Sequence, residues 1–216
     1  MSAEALDRLT TRGFVVVPGP FRGSELPATA AAYDAFVAAG EPRTGSRSVR
    51  TGGLSATRYF DGILTYPLLI AAAEHVVGAD FKLSAFHTRS LIPGTRAPRL
   101  HRDVEIGQDG WPLLGFIFMV DAFTPENGAT RFVSGSHRGP SGASGCECAC
   151  GSAGSLILFD GSALHDHGAN DTPGCRRSIQ GAMIPRNATS AVDHSQLVRA
   201  EDRDCLAPRL RYLFCL

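Results

Sequence analysis

Two histidines and a carboxylate are spaced in this chain so that they can meet at one metal ion. His101 and Asp103 stand two residues apart in Leu100-His101-Arg102-Asp103. In an extended segment residues i and i+2 share a face. An imidazole nitrogen and a carboxylate oxygen therefore reach one point while Arg102 faces away. One imidazole and one carboxylate alone hold a divalent ion weakly, so a third donor must come from elsewhere. His165 and His167, in Leu164-His165-Asp166-His167-Gly168-Ala169-Asn170, compete for that role; His165 follows an apolar strand and a turn at Gly161, which puts it at the mouth of a sheet. Two imidazoles and one carboxylate on one face leave three adjacent octahedral positions open, which suits Fe(II) taking a bidentate cosubstrate and O2 together. Catalytic zinc keeps a tetrahedral site with one open position. Shortly beyond, Arg176-Arg177-Ser178 offers a guanidinium to a carboxylate-bearing cosubstrate. On its own, a His-x-Asp pair is common, and a structural salt bridge would explain it equally well.

The elements that must position these residues fall into two kinds. Residues 4–12 read as a short helix with Leu6 and Leu9 on one face, stopped by Gly13, and Phe14-Val15-Val16-Val17 reads as a strand. Ser24 can cap a helix over about 25–39, where Leu26, Ala30, Tyr33, Phe36 and Val37 form the apolar stripe. A third helix is expected over 67–78. Between them, residues 41–57 are polar and rich in Gly, Ser and Arg. They read as a surface loop, or as a lid whose Arg43, Arg47 and Arg50 capture an anion. From residue 81 the pattern becomes strand-like: 82–91, a short strand at 99–103, 113–120 apolar on both faces, 129–133 after the Asn127-Gly128 turn, 155–159 and 177–184. Residues 138–152 read mostly as loop, and residues 195–216 as a terminal helix interrupted near Pro208.

Short strands with Gly and Asn turns, and helices gathered at the N-terminal side, predict a mainly β fold with flanking helices: a double-stranded β-helix, or cupin-like jelly roll. A doubly wound α/β fold would need helices between the later strands. The whole chain, 1–216, is expected to be one domain, with N-terminal helices to about 80, a jelly-roll core over about 81–186 and a helical tail over 187–216.

The 21 basic and 21 acidic residues balance. Neither a nucleic-acid nor a membrane footprint is present, and no apolar run is long enough to span a bilayer. The first residues lack the basic and apolar regions of a signal peptide, so a cytoplasmic location is expected. Cys146-Glu147-Cys148-Ala149-Cys150 lacks the spacing and second pair of a zinc finger. It reads as reduced thiols in a loop or at a strand edge. Nothing in the sequence separates a monomer from a homodimer.

From Phe14 to about Arg186 the chain resembles the phytanoyl-CoA dioxygenase family of Fe(II)/2-oxoglutarate oxygenases. The likeness rests on Leu100-His101-Arg102-Asp103, on Pro125-Glu126-Asn127-Gly128-Ala129-Thr130-Arg131-Phe132-Val133-Ser134-Gly135-Ser136-His137-Arg138, on Gly151 to Gly161 before His165, and on His165 to Ser178. The family's second segment is commonly written ENGaLrviPGSHR, and Ser134 here replaces its proline. That departure removes a rigid turn but no ligand. The resemblance implies His101, Asp103 and His165 as metal ligands and Arg176, with Ser178 on the same strand face, as the anchor of the distal carboxylate of 2-oxoglutarate. It implies Arg89, on the strand before the His-x-Asp segment, and secondarily Arg102, near the cosubstrate. Asn170 would cap the loop that aims His165, Arg177 would form a salt bridge on the other face, and His137 would be a turn histidine bonded to backbone.

The implied activity is hydroxylation of a small molecule, with Fe(II) as cofactor, 2-oxoglutarate and O2 as cosubstrates, ascorbate as a supporting reductant, and succinate and CO2 released. Halogenating relatives carry a small residue where Asp103 stands. The CoA-thioester substrate of the family's namesake is not implied, and the short chain argues against a large substrate-binding insert. A non-redox cupin-like metalloenzyme would supply more histidines and would not need Arg176 with Ser178. A catalytically silent jelly-roll binding protein would be expected to lack a ligand or Arg176.

Overall fold

The computed structural model describes residues 1–40, 43–45, 48–53, 55, 57–106, 111–139, 142 and 144–216. The chain begins with α1 (Ala3–Arg12), capped by the Ser2 hydroxyl and closed by Gly13 at φ 82°. Then follow β1 (Phe14–Pro18), α2 (Leu26–Ala39), β2 (Arg43–Gly45), β3 (Ser48–Thr51), α3 (Asp61–Leu64) and α4 (Pro67–Val76). The strand-rich part comprises β4 (Phe81–Leu91), β5 (Leu114–Met119), β6 (Thr130–Val133), β7 (Cys146–Cys148), β8 (Ser155–Asp160), β9 (His165–His167) and β10 (Arg176–Pro185). Two short helices, α5 (His194–Leu197) and α6 (Pro208–Phe214), end the chain.

A major sheet has the order β1-β8-β5-β10-β4-β3-β2, and a minor one the order β7-β6-β9. All the pairings are antiparallel. Strand alternation splits the core in two. Val15, Val17, Phe116, Phe118, Leu156, Leu158, Ile179 and Met183 face the helices. Phe14, Ile117, Met119, Ile157 and Phe159 face inward, where they meet Phe123 and Phe132. β5 is buried on both faces because it lies between these two cores. This is the expected sandwich, with the helices on one side of the large sheet.

Four local features bear on the site. The polar 41–57 segment is not simply a surface loop: β2 and β3 form a hairpin that extends the major sheet beyond β4. Arg47 and the side chain of Arg43 lie outside the described residues. Residues 99–103 form no strand. His101 instead makes a single bridge to His165, with N···O distances of 3.0 and 2.9 Å, and the amide of Asp103 donates to the Gly161 carbonyl at 2.8 Å. Within the mostly loop-like 138–152 stretch, Cys146–Cys148 takes the strand-edge alternative, and the interrupted tail is two short helices, the second starting at Pro208. All six cysteines are exposed free thiols. Among the described residues, no helix is long and apolar enough to cross a membrane.

Candidate active site

β9 and the bridge at His101 put three donor side chains together. The ligand atoms of His101, Asp103 and His165 lie within 4.8 Å of one another. The Asp103 carboxylate sits between the rings, with Oδ1 4.0 Å from His101 Nε2 and Oδ2 3.8 Å from His165 Nε2. Each imidazole is oriented through its other nitrogen. His165 Nδ1 donates to the Ala163 carbonyl at 2.9 Å and His101 Nδ1 to the Arg99 carbonyl at 3.3 Å. The lone pair of each is thereby left on Nε2, facing the carboxylate.

His165 is buried, and its ring packs against Phe132 and Phe159 with centroids 5.6 and 4.8 Å away. Burial lowers its pKa, with Asp103 opposing, so the neutral ring that a metal requires is favoured. Phe159 is held in turn against Gly115, where an added Cβ would fall 2.1 Å from the ring.

His167 shares a face of β9 with His165 but is not part of the three-donor group. Its Nδ1 donates to the Gly168 carbonyl at 2.9 Å, and burial lowers its pKa to about 4. Between the two histidines, Asp166 is fully buried and takes two bonds from Arg131, at 2.8 and 2.5 Å, tying β9 to β6. Sequence reading missed this pair; its one signal was an acid between two histidines.

On β10 the inward face carries Arg176, Ser178 and Gln180. Arg176 is 1% exposed, and none of its three guanidinium nitrogens has a hydrogen-bond partner among the described residues. It stacks on Phe123 at 4.0 Å. Burial, reinforced by the charge of Arg89, lowers its pKa to about 9. An unpaired buried cation is costly unless an anion completes it. This side chain therefore fits the carboxylate of an incoming cosubstrate, as the three donors fit a divalent first-row metal.

Ser178 Oγ donates to the Arg89 carbonyl at 3.1 Å and accepts from Gln180 Nε2 at 3.3 Å. Arg177, on the opposite face, is held by Asp121 and Asp34. Asn170 is fully buried. Its amide donates to the carbonyls of Leu91 and Gly174 at 2.9 Å each, and its oxygen accepts from Thr172. Leu91 is the cross-strand neighbour of Arg176, so this cap braces the Arg176 end of the sheet.

Arg89 lines the pocket that holds the three donors, and burial lowers its pKa to about 10. Arg102, expected near the cosubstrate, turns away from the pocket and donates to the carbonyls of Ser136 and Ser162. It sits between two inward-facing residues and so acts as a strut for the loop that carries them. His137, as the resemblance implies, bonds to backbone: its Nε2 donates to the Thr10 carbonyl at 2.9 Å. The pocket itself, about 250 Å³, is lined as well by Arg50, one of the three arginines read from the sequence as anion-capturing, and by His87, Thr130 and Gln180, which spacing did not single out.

Comparison with known proteins agrees with this architecture. The family model of phytanoyl-CoA dioxygenase matches residues 9–178. The dioxygenase trt7 of Aspergillus terreus is 35% identical over 153 residues, covering 63% of this chain and 54% of its own length. The dioxygenase sphC of Aspergillus fumigatus is 30% identical over 185 residues, covering 76% and 51%. The chain thus spans about half the length of the curated relatives it matches. Among solved structures, HygX from Streptomyces hygroscopicus, with nickel, 2-oxoglutarate and hygromycin B bound, superposes with a TM-score of 0.74 at 19% identity, over 88% of this chain and 90% of its own. The epimerase SnoN, in complex with Fe3+, alpha ketoglutarate and nogalamycin RO, gives 0.75 at 19% identity, over 88% and 85%. With the model matched across most of its length, the chain belongs to the phytanoyl-CoA dioxygenase family.

Proposed function

We propose that this chain is an Fe(II)- and 2-oxoglutarate-dependent dioxygenase that hydroxylates a small molecule. The observation that carries the reading is the convergence of His101, Asp103 and His165, together with a fully buried Arg176 on the inward face of β10 that has no hydrogen-bond partner among the described residues. His101, Asp103 and His165 hold the metal, and Arg176, with Ser178 beside it, holds the distal carboxylate of 2-oxoglutarate. When bound, iron and 2-oxoglutarate supply O2 activation coupled to decarboxylation, with succinate and CO2 released and ascorbate as a supporting reductant.

The chain's own contribution is aiming and exclusion. The carbonyls of Arg99 and Ala163 fix both imidazoles with Nε2 inward. Phe132 and Phe159 keep water from the buried side of His165. Arg102 holds the His101–Asp103 loop to Ser136 and Ser162. Arg89 lines the same pocket as Asp103, whose charge favours its cation. A carboxylate at position 103 leaves no ligand place for a halide, which favours hydroxylation over halogenation; desaturation, epoxidation and ring closure stay open to the same site, because they depend on substrate placement. The bound 2-oxoglutarate of HygX and the alpha ketoglutarate of SnoN support the same cofactor choice.

The test uses purified full chain with Fe(II) and 2-oxoglutarate without oxygen, where a weak visible charge-transfer band is expected. Replacing His165 with Ala should abolish both the band and succinate formation, and replacing His167 with Ala should abolish neither. No band in folded wild-type protein would sink the reading, and the reverse pattern would reassign the third ligand.

A further inference from the structure

Arg50 on β3 and Arg89 on β4 stand directly opposite each other in register. Both line the pocket that holds the three donor residues. Like charges opposed across a strand pair are destabilising, and the described residues do little to relieve them. Arg89 Nε is buried without a hydrogen-bond partner among the described residues. The nearby acids are committed elsewhere: Asp166 to Arg131 and Asp121 to Arg177. Asp103 is the acid whose charge favours the Arg89 cation, and it belongs to the metal group. His87 on the same strand face has its pKa lowered to about 4 by burial and by these two arginines, so it adds no charge at neutral pH.

Loading the site with metal and cosubstrate does not remove the imbalance. A divalent ion and the 2-oxoglutarate dianion cancel, and Asp103 cancels one of the three guanidiniums of Arg50, Arg89 and Arg176. Two positive charges are left over, whichever arginine meets the cosubstrate. The pocket also changes character along the sheet. From the Arg89–Ser178 row, through His87–Gln180, to the Ala85–Ala182 row is four residues on β4, or about 13 Å. The far part is apolar, with Ala85, Ala182, Leu113 and Phe159, and Ile117 adjoins it from the His87–Gln180 row.

We propose that Arg50, backed by Arg89, binds a carboxylate or phosphate group on the primary substrate, which is therefore a small amphiphilic acid. Its anionic end sits on the arginine row and its apolar body lies towards Ala85 and Ala182. This rests on the dioxygenase reading of the same pocket.

The test titrates three probes, phenylacetate, phenyl phosphate and the neutral phenylacetamide, into anaerobic protein saturated with Fe(II) and 2-oxoglutarate, following perturbation of the visible band. One or both anions should bind at least about tenfold more tightly than the amide, and which one does so separates carboxylate from phosphate. Arg50→Gln should remove that preference, Arg50→Lys should retain part of it, and neither should change the 2-oxoglutarate concentration that half-saturates the band. Anions binding no better than the amide would overturn the proposal. So would an Arg50→Gln variant whose loss is in 2-oxoglutarate affinity, which would make Arg50 a cosubstrate residue. Absence of the band in wild-type protein is a different failure, and removes the dioxygenase reading itself.

Discussion

Replacing Arg176 with Met separates a ligand-binding cation from a structural one. Burial, with the neighbouring Arg89 charge, lowers the Arg176 pKa to about 9, which corresponds to a cost on the order of 5 kcal/mol for holding its charge. Stacking on Phe123 at 4.0 Å returns about 2 kcal/mol. The net penalty in ligand-free protein is therefore about 3 kcal/mol. Methionine keeps the length and the contact with the Phe123 ring but carries no charge. The variant should be the more stable protein without ligands, with Tm higher by about 6 to 12 °C for a chain of this size. With Fe(II) and 2-oxoglutarate at about 100 times its dissociation constant, the wild type should gain about 2.7 kcal/mol, or about 5 to 11 °C, and the variant almost nothing. Both are read by anaerobic thermal unfolding with and without 2-oxoglutarate. Arg177→Met is the control. It breaks the bonds to Asp121 and Asp34, so it should lose about 1 to 3 kcal/mol while keeping the 2-oxoglutarate shift. An Arg176→Met protein that is less stable than wild type and still stabilised by 2-oxoglutarate would refute the reasoning.

Two other perturbations test how the site is braced. Asn170→Ala removes the bonds to Leu91, Gly174 and Thr172 from a fully buried position. It should cost about 2 to 4 kcal/mol in chemical denaturation and weaken 2-oxoglutarate more than metal; equal losses in both would place the brace elsewhere. His194 is buried, bonded to Ser55 Oγ at 3.0 Å, and has its pKa lowered to about 4, chiefly by burial. The unfolded chain takes up a proton near pH 6.5 that the folded one refuses until about pH 4, so stability present above about 6.5 is lost as pH falls, by up to about 3 kcal/mol. Urea midpoints of wild type and His194→Gln should converge from pH 7 to pH 4, and parallel curves would exclude this histidine as the source.

How far the site could be read in advance depended on which contacts were local. His101 and Asp103 needed only the two-residue period, and it held in effect even though the segment is not a strand, because His101 bridges His165 and Asp103 bonds Gly161. Spacing left His165 and His167 open, since both sit on one face of β9, and only the family resemblance preferred His165; the fold brings His165 into the three-donor group because it lies opposite His101, 64 residues earlier. Arg50 was legible only as one of three arginines able to meet an anion, and its place was hidden for the same reason. Nothing in a polar run rich in glycine and serine announces a hairpin, and only the register of β3 on β4 brings this side chain against Arg89. Arg131 and Asp166 also meet only through strand pairing.

Arg176 and Arg177 carry the argument about charge furthest, because they are the same residue type one position apart. Strand alternation sends them to opposite faces of the sheet, and there the chain treats them in opposite ways. Arg177 is only partly buried, yet Asp121 and Asp34 hold it and raise its pKa. Arg176 is fully buried, where a partner matters most, and the described residues give it none. Burial alone predicts the reverse, since desolvated charges are the ones that folded chains pair. Among the described residues, the site face of β10, β4 and β3 carries three arginines with Asp103, a member of the metal group, as the acid whose charge reaches Arg89, while Asp166 and Asp121 are paired with other arginines. Neutrality on that face is left to what binds there. Cosubstrate and substrate anions should accordingly bind with positive coupling to the metal, a coupling that weakens as salt is raised for exposed Arg50 and much less for buried Arg176.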